Sequence, residues 1–232
     1  MATRESGPTL LLVHGAWHGR WAWEKLQPEL AAAGWTTQAV QLPTAVAVKT
    51  PAEPIAGMHE DARVVRAAID NIDGPVVVVA HSYGGIPVTQ ATAGAPNVTH
   101  AIYLAAFQLD VGESLYSFRG APLPDSFEGT TPPPDHDSFY ADLPADEAAQ
   151  AAARLVPQSL RSFCETVTQA GWHTIASSYI ICDQDRALPP HSQDELAARA
   201  GAVHHLDSSH SPMLSIPGEL AALITKIADG RV

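Results

Sequence analysis

VVVVAHSYGG, residues 76–85, decides how the rest of the chain is read. Four consecutive valines followed by Ala80 describe a strand buried on both faces, because an unbroken β-branched run leaves no polar side for solvent. Ser82 stands where that run gives way to small residues, ahead of the helix-like GIPVTQATAG at 85–94. A serine on a sharp turn between strand and helix is the setting of a nucleophile elbow, whose signature is G-x-S-x-G. Here the signature opens with Ala80 instead of glycine and closes with Gly84. Alanine is the next smallest side chain, so the match is weakened without being broken. Taken alone, the pentapeptide leaves two readings open: an activated serine, or a small residue in a glycine loop.

Around this run lie other short apolar runs, at 9–13, 37–42, 101–106, 178–182 and 202–206. Helix-length amphipathic segments separate them, over 21–34, 58–72, 85–94, 190–201 and 217–230. The alternation predicts an α/β fold, a mostly parallel sheet of about six strands flanked by helices. One region breaks it. Residues 108–170 include GAPLPDSFEGTTPPPDHD, dense in Pro, Gly, Asp and Ser, and then the helical ADEAAQAAARL. This is too long for an ordinary connection and too interrupted for another βα unit. Its aromatic residues (Tyr116, Phe118, Phe127, Phe139, Tyr140, Phe163) argue against a disordered linker, which is usually poor in them. The expectation is a cap inserted at 108–170 over the carboxyl edge of the sheet, with 1–107 and 171–232 forming the core.

Composition bounds the function. Of 232 residues, 46% are hydrophobic and 16% charged, as in a soluble globular protein. Asp and Glu number 25 against 13 Lys and Arg, for a net charge of −12, which argues against nucleic acid or an anionic membrane as partner. No run is long enough to span a bilayer, and MATRESGPTLLLVHG, with Glu5 and Pro8 ahead of its short apolar run, is unlike a signal peptide. Cys164 and Cys182 are too few for a disulfide framework and read as reduced, buried thiols. A cytoplasmic location is therefore expected. The histidines show no ligand spacing, and no metal is assigned.

In an open α/β sheet, ligands bind outside the carboxyl ends of the strands. A serine hydroxyl needs a base, and the base an orienting carboxylate, in the chain order Ser, Asp or Glu, His on this fold. His210, in the loop LDSSHSPM after the last strand, is the candidate base. His204 and His205 are weaker candidates, since neighbours within a strand point to opposite faces. For the acid, Asp185 lies further out in the loop CDQDRALP than Asp183 and is preferred, leaving Asp183 as a turn or surface carboxylate. The oxyanion of an acyl-transfer intermediate needs two backbone donors, expected from Tyr83, after the serine, and from Ala16 in the loop after the first strand. His14 and His81 are read as residues that stabilise their loops through hydrogen bonds. Trp17, His18, Phe107 and Tyr116 are the expected pocket residues, with a packing role equally open for Trp17 and His18.

Taken together, VHGAWHGRWAWEKLQPEL, AHSYGG, IYLAAFQLD, YIICDQDRALP and HSPMLSIP resemble the α/β-hydrolase superfamily through nearly the whole chain. More narrowly, the chain is similar to small esterases related to plant methyl esterases and hydroxynitrile lyases. The resemblance implies the α/β-hydrolase fold, a triad of Ser82, Asp185 and His210, an oxyanion hole at Ala16 and Tyr83, and no cofactor; relatives of this kind are often homodimers. The cap matches that group poorly. Hydroxynitrile lyases of the group carry a threonine in the oxyanion loop and a lysine after the catalytic histidine, whereas Gly15 and Ser211 stand here. The expected activity is therefore hydrolysis of a small to medium, largely apolar carboxylic ester through an acyl-enzyme. A biosynthetic lyase, cyclase or C–C hydrolase using the same triad, and a ligand-binding protein on the same fold, are the rival readings.

Overall fold

The computed structural model describes residues 7–45 and 55–230. Residues 1–6, which include the start of the stretch read as unlike a signal peptide, lie outside it. Eight strands occur among the described residues: β1 (Thr9–Val13), β2 (Thr37–Ala39), β3 (Val76–His81), β4 (Val98–Leu104), β5 (Thr130–Thr131), β6 (Gln158–Ser159), β7 (Ser177–Cys182) and β8 (Ala202–Leu206). The helices are α1 (Leu26–Ala32), α2 (Met58–Asp70), α3 (Gly85–Thr92), α4 (Leu115–Phe118), α5 (Ala145–Ala152), α6 (Leu160–Cys164), α7 (Pro190–Ala197), α8 (Pro212–Ser215) and α9 (Pro217–Ala228).

Six strands form one sheet in the order β2-β1-β3-β4-β7-β8, every adjacent pair parallel. The chain moves outward from β1 to β2 and then crosses back to β3, so the strand order reverses between β1 and β3. A crevice opens at such a switch point. The register sets Val13 opposite Ala80, so the loops leaving β1 and β3 emerge side by side.

Both faces of the sheet are covered, which is why β3 is apolar from Val76 to Ala80 and reaches a polar residue only at its last position, His81. Val76, Val78 and Ala80 face a cluster that includes Met58, Ala62, Val65 and Ile69 of α2 and Val88 and Ala91 of α3. Val77 and Val79 face the opposite cluster, with Leu26 and Leu30 of α1 and Leu220, Ile224 and Ile227 of α9. Helix α2 buries Met58, Ala62, Val65 and Ile69 at helical spacing and turns Arg63 and Arg66 outward.

Some boundaries differ from those expected, for identifiable reasons. The helix expected over 21–34 splits into a 3₁₀ turn at Arg20–Trp23 and α1, which places Pro28 in the first turn, where its missing N–H leaves no bond unmade. The strand expected at 101–106 begins at Val98 and ends at Leu104, because Ala105 takes a φ of 41°. The long segment between β4 and β7 carries α4, α5, α6 and the small antiparallel pair β5–β6. It has no separate core: Leu115, Phe163 and Val167 belong to one sheet-face cluster, Phe139, Tyr140, Ala148 and Ala151 to the other. Among the described residues, no helix is long and apolar enough to cross a membrane.

Candidate active site

Ser82 follows β3 directly and takes φ 53°, a left-handed conformation that costs a non-glycine residue about 1–3 kcal/mol and persists only where the surroundings impose it. The imposition is steric. A Cβ on Gly84 would stand 2.6 Å from the His14 carbonyl oxygen and 2.9 Å from that of Val13, and one on Gly85 would stand 2.7 Å from the Phe107 carbonyl oxygen. These two glycines let the start of α3 press against the ends of β1 and β4. Ala80, by contrast, is a fully buried strand residue paired with Val13 and Tyr103. The tight approach that the G-x-S-x-G signature encodes is therefore met here by the glycines after the serine.

Asp185 and His210 meet in the interior. His210 Nδ1 lies 2.6 Å from Asp185 Oδ2, and both side chains are almost wholly buried. The carboxylate is immobilised from its other sides as well: Oδ1 accepts the Ala187 and Leu188 N–H groups at 2.8 and 2.9 Å, and Oδ2 also accepts from Gln193 Nε2 at 3.1 Å. Gln193, on α7, is fully buried; its Nε2 donates to the Leu188 carbonyl at 2.7 Å and its Oε1 accepts the Cys182 N–H at 3.0 Å. It ties the acid loop to the helix that follows. The loop of His210 is fixed in turn, Asp142 accepting the Ser209 N–H at 2.9 Å and the Ring nitrogen Nε2 of His81 donating to the His210 carbonyl at 2.8 Å. Phe139 stacks on the His210 ring at 5.7 Å between centroids.

Two other histidines, His14 and His81, hold the loops in neutral form. Leu42 N–H donates to His14 Nε2 at 3.0 Å, so the proton sits on Nδ1, which donates to the Gly15 carbonyl at 2.8 Å. Burial pulls the His14 pKa down to about 4, which keeps this tautomer uncharged. Because a trans peptide sets C=O and N–H on opposite sides, fixing the Gly15 carbonyl aims the Ala16 N–H the other way. Gly15 itself admits no side chain, since a Cβ would lie 2.9 Å from Ser82 Cβ. Burial and the neighbouring His210 hold the His81 imidazole well below the ordinary histidine range.

A buried polar chain joins the two loops from beneath. Trp17 N–H donates to Gln158 Oε1 at 3.2 Å, Gln158 Nε2 to Thr44 Oγ1 at 2.8 Å, and Thr44 Oγ1 to Asp61 Oδ2 at 2.5 Å. The Tyr83 hydroxyl donates to the same Asp61 oxygen at 2.7 Å. Desolvation outweighs these bonds and pushes the Asp61 pKa up to about 7. Sequence reading singled out neither this chain nor Gln193, as buried polar residues far apart along the chain follow no local pattern.

Ser82 and His210 lie on the wall of one cavity of about 460 Å³, together with Ala16, Trp17, Tyr83, Phe107 and Tyr116. His18 does not reach it, a correction to the expectation. Its Nδ1 bonds the Ala16 carbonyl at 2.8 Å, its Nε2 accepts from the Tyr140 hydroxyl at 2.8 Å, and Trp21 stacks on it at 5.4 Å, so the ring is committed to packing. Burial pulls its pKa down to about 3. Phe139 and Phe163, from the segment between β4 and β7, line the cavity instead. Asp183 pairs with His205 at the surface, Oδ1 to Nδ1 2.8 Å. Among the described residues, no cluster of His, Cys, Asp and Glu could hold a metal ion.

This arrangement of sheet and loops agrees with a family match: the model of the alpha/beta hydrolase family covers residues 10–223. The chain belongs to the alpha/beta hydrolase family. This hydrolase is 32% identical to the "Probable hydrolase R7" of Phoma sp., over 95% of its own length and 98% of the relative's. It is 27% identical to Methylesterase 7 of Arabidopsis thaliana, over 94% and 95% of the two chains. Among solved structures, a methylesterase protein MES16 from Arabidopsis superposes with a TM-score of 0.78 at 25% identity, covering 96% of this hydrolase and 99% of that chain.

Proposed function

We propose that this hydrolase cleaves small to medium, largely apolar carboxylic esters through an acyl-enzyme, with Ser82 as nucleophile, His210 as general base and acid, and Asp185 as the orienting carboxylate. The observation that carries the reading is the buried 2.6 Å contact between His210 Nδ1 and Asp185 Oδ2, with Ser82 in its left-handed turn on the same cavity wall as the imidazole. Asp185 fixes the Nδ1–H tautomer, which leaves Nε2 free to take the Ser82 proton. Oγ adds to the ester carbonyl, and the N–H groups of Ala16 and Tyr83 stabilise the oxyanion. His210 then returns the proton to the departing alcohol, and water attacks the acyl-enzyme by the same route. The aromatic lining suits an apolar acyl or alcohol group, and the methylesterase relatives support a small alcohol such as methanol on the leaving side.

The same proposal makes residues 108–170 the cap that shapes this cavity, supported by the placement of Tyr116, Phe139 and Phe163 on its walls. Cytoplasmic residence is its compartment, supported by two free, buried cysteines. The test is turnover of a p-nitrophenyl acyl ester by wild type and Ser82→Ala. The variant is expected to keep its fold by circular dichroism and lose at least about 10³-fold in kcat; turnover close to wild type overturns the assignment of Ser82.

A further inference from the structure

The charge on the cavity wall runs against the charge of the molecule. The chain carries a net charge of −12, yet among the described residues no Asp or Glu lines the cavity, and its permanently charged lining residues are Arg119 and Arg186. Carboxylates are not scarce elsewhere: Arg63, Arg66, Arg154, Arg161 and Arg199 each pair with one. Among the described residues, neither the Arg119 nor the Arg186 guanidinium has a hydrogen bond or ion pair. Arg119 stands at the end of α4 with its guanidinium 5.6 Å from the Phe107 ring centre, and both it and Arg186 are solvent-exposed residues of the cavity wall, open to an anion arriving from outside. Glu195 lies in an adjoining groove with Arg119 and forms no ion pair with it. Ala187 and Leu188 line both that groove and the main cavity beside Arg119, which sets the two arginine-bearing segments at one end of the site.

Resting on the esterase reading, we infer that the preferred substrate is an ester bearing a free carboxylate at its far end, received by the Arg119 and Arg186 guanidiniums while Ser82 meets the ester carbonyl. A guanidinium fork matches a carboxylate in shape and charge, and the aromatic walls between the arginines and Ser82 suit the apolar spacer. Net negative charge on the rest of the surface repels such a substrate, so the two arginines supply selectivity at the site itself.

The experiment compares mono-p-nitrophenyl adipate with p-nitrophenyl hexanoate, which differ in a terminal carboxylate against a methyl. Wild type is expected to favour the adipate ester by at least about ten-fold in kcat/KM, mainly through KM, and added salt to shrink that ratio. Arg119→Gln combined with Arg186→Gln is expected to bring the ratio close to one, and Arg119→Lys with Arg186→Lys to restore part of it. Equal or preferential turnover of the hexanoate by wild type overturns the inference and leaves the esterase reading standing. Loss of turnover of both esters would count against the esterase reading, and the anion site is then decided by titration calorimetry with adipate. Adipate binding that the double glutamine variant loses upholds the site; no binding, or binding indifferent to both arginines, ends it.

Discussion

Asp61 makes stability depend on pH in a direction opposite to that of an ordinary surface carboxylate. Its environment contains the Thr44 hydroxyl and N–H, the Tyr83 hydroxyl and the nearby Glu60 carboxylate, and among the described residues no cation bonds it. The folded chain holds the proton up to about 7, whereas the unfolded chain releases it near the ordinary 3.8. Between these values the folded state binds more protons than the unfolded one, so raising the pH lowers the free energy of unfolding. Each pH unit is worth about 1.4 kcal/mol, so a window of about three units costs about 4 kcal/mol once Asp61 is ionised. Asp61→Asn removes the titration while keeping the shape and an acceptor for Thr44. The assay is urea unfolding followed by tryptophan fluorescence, for which the buried Trp23 and Trp35 are reporters, on wild type and variant from about pH 4 to about pH 8. Taking the difference between the two proteins cancels titrations they share. The variant is expected to gain on wild type steadily across the window and to level off above about pH 7. A difference that stays flat, or that moves in favour of wild type as pH rises, refutes the reasoning, the latter by showing that the three donors outweigh burial.

Two further outcomes follow from the site. Gln193→Leu strands the Leu188 carbonyl and the Cys182 N–H and frees one side of Asp185, so it is expected to cost about 1–3 kcal/mol of stability and to lower kcat about ten-fold with little change in KM; wild-type kcat in a folded variant shows that the bond does not position the acid. Ser82→Gly relieves the φ of 53° and is expected to raise the melting temperature by about 2 °C while removing ester turnover; a lower melting temperature contradicts strain at the elbow.

The sequence carried the fold because each sheet strand is a short apolar run set apart by amphipathic segments, and Ala80 was read as a tolerated member of the turn. What the turn at Ser82 needs is room at Gly84 and Gly85, and the backbone atoms they admit belong to Val13 and His14 where β1 ends and to Phe107 in the loop after β4, which no pentapeptide displays. Asp185 and His210 were legible because each follows a strand in the expected order. Gln193, Gln158, Thr44 and Asp61 were not, since a buried polar residue is recognised by its partner and those partners come from other elements. Between pocket lining and packing, the two roles open to His18, the structure shows packing for a related reason: its partner, the Tyr140 hydroxyl, lies 122 residues away in sequence.

The segment between β4 and β7 shares both of the molecule's apolar clusters, and this restricts how such a protein can acquire new specificity. A chimera that replaced residues 108–170 with the equivalent stretch of a relative would strip Phe163 and Val167 from one face and Phe139 and Tyr140 from the other, together with the Asp142 anchor of the His210 loop. Exchanging the segment would thus exchange a share of the foundations as well. Point changes at Tyr116, Arg119 or Phe163 can retune the site in place, whereas transplanting the whole segment demands that its anchors travel with it.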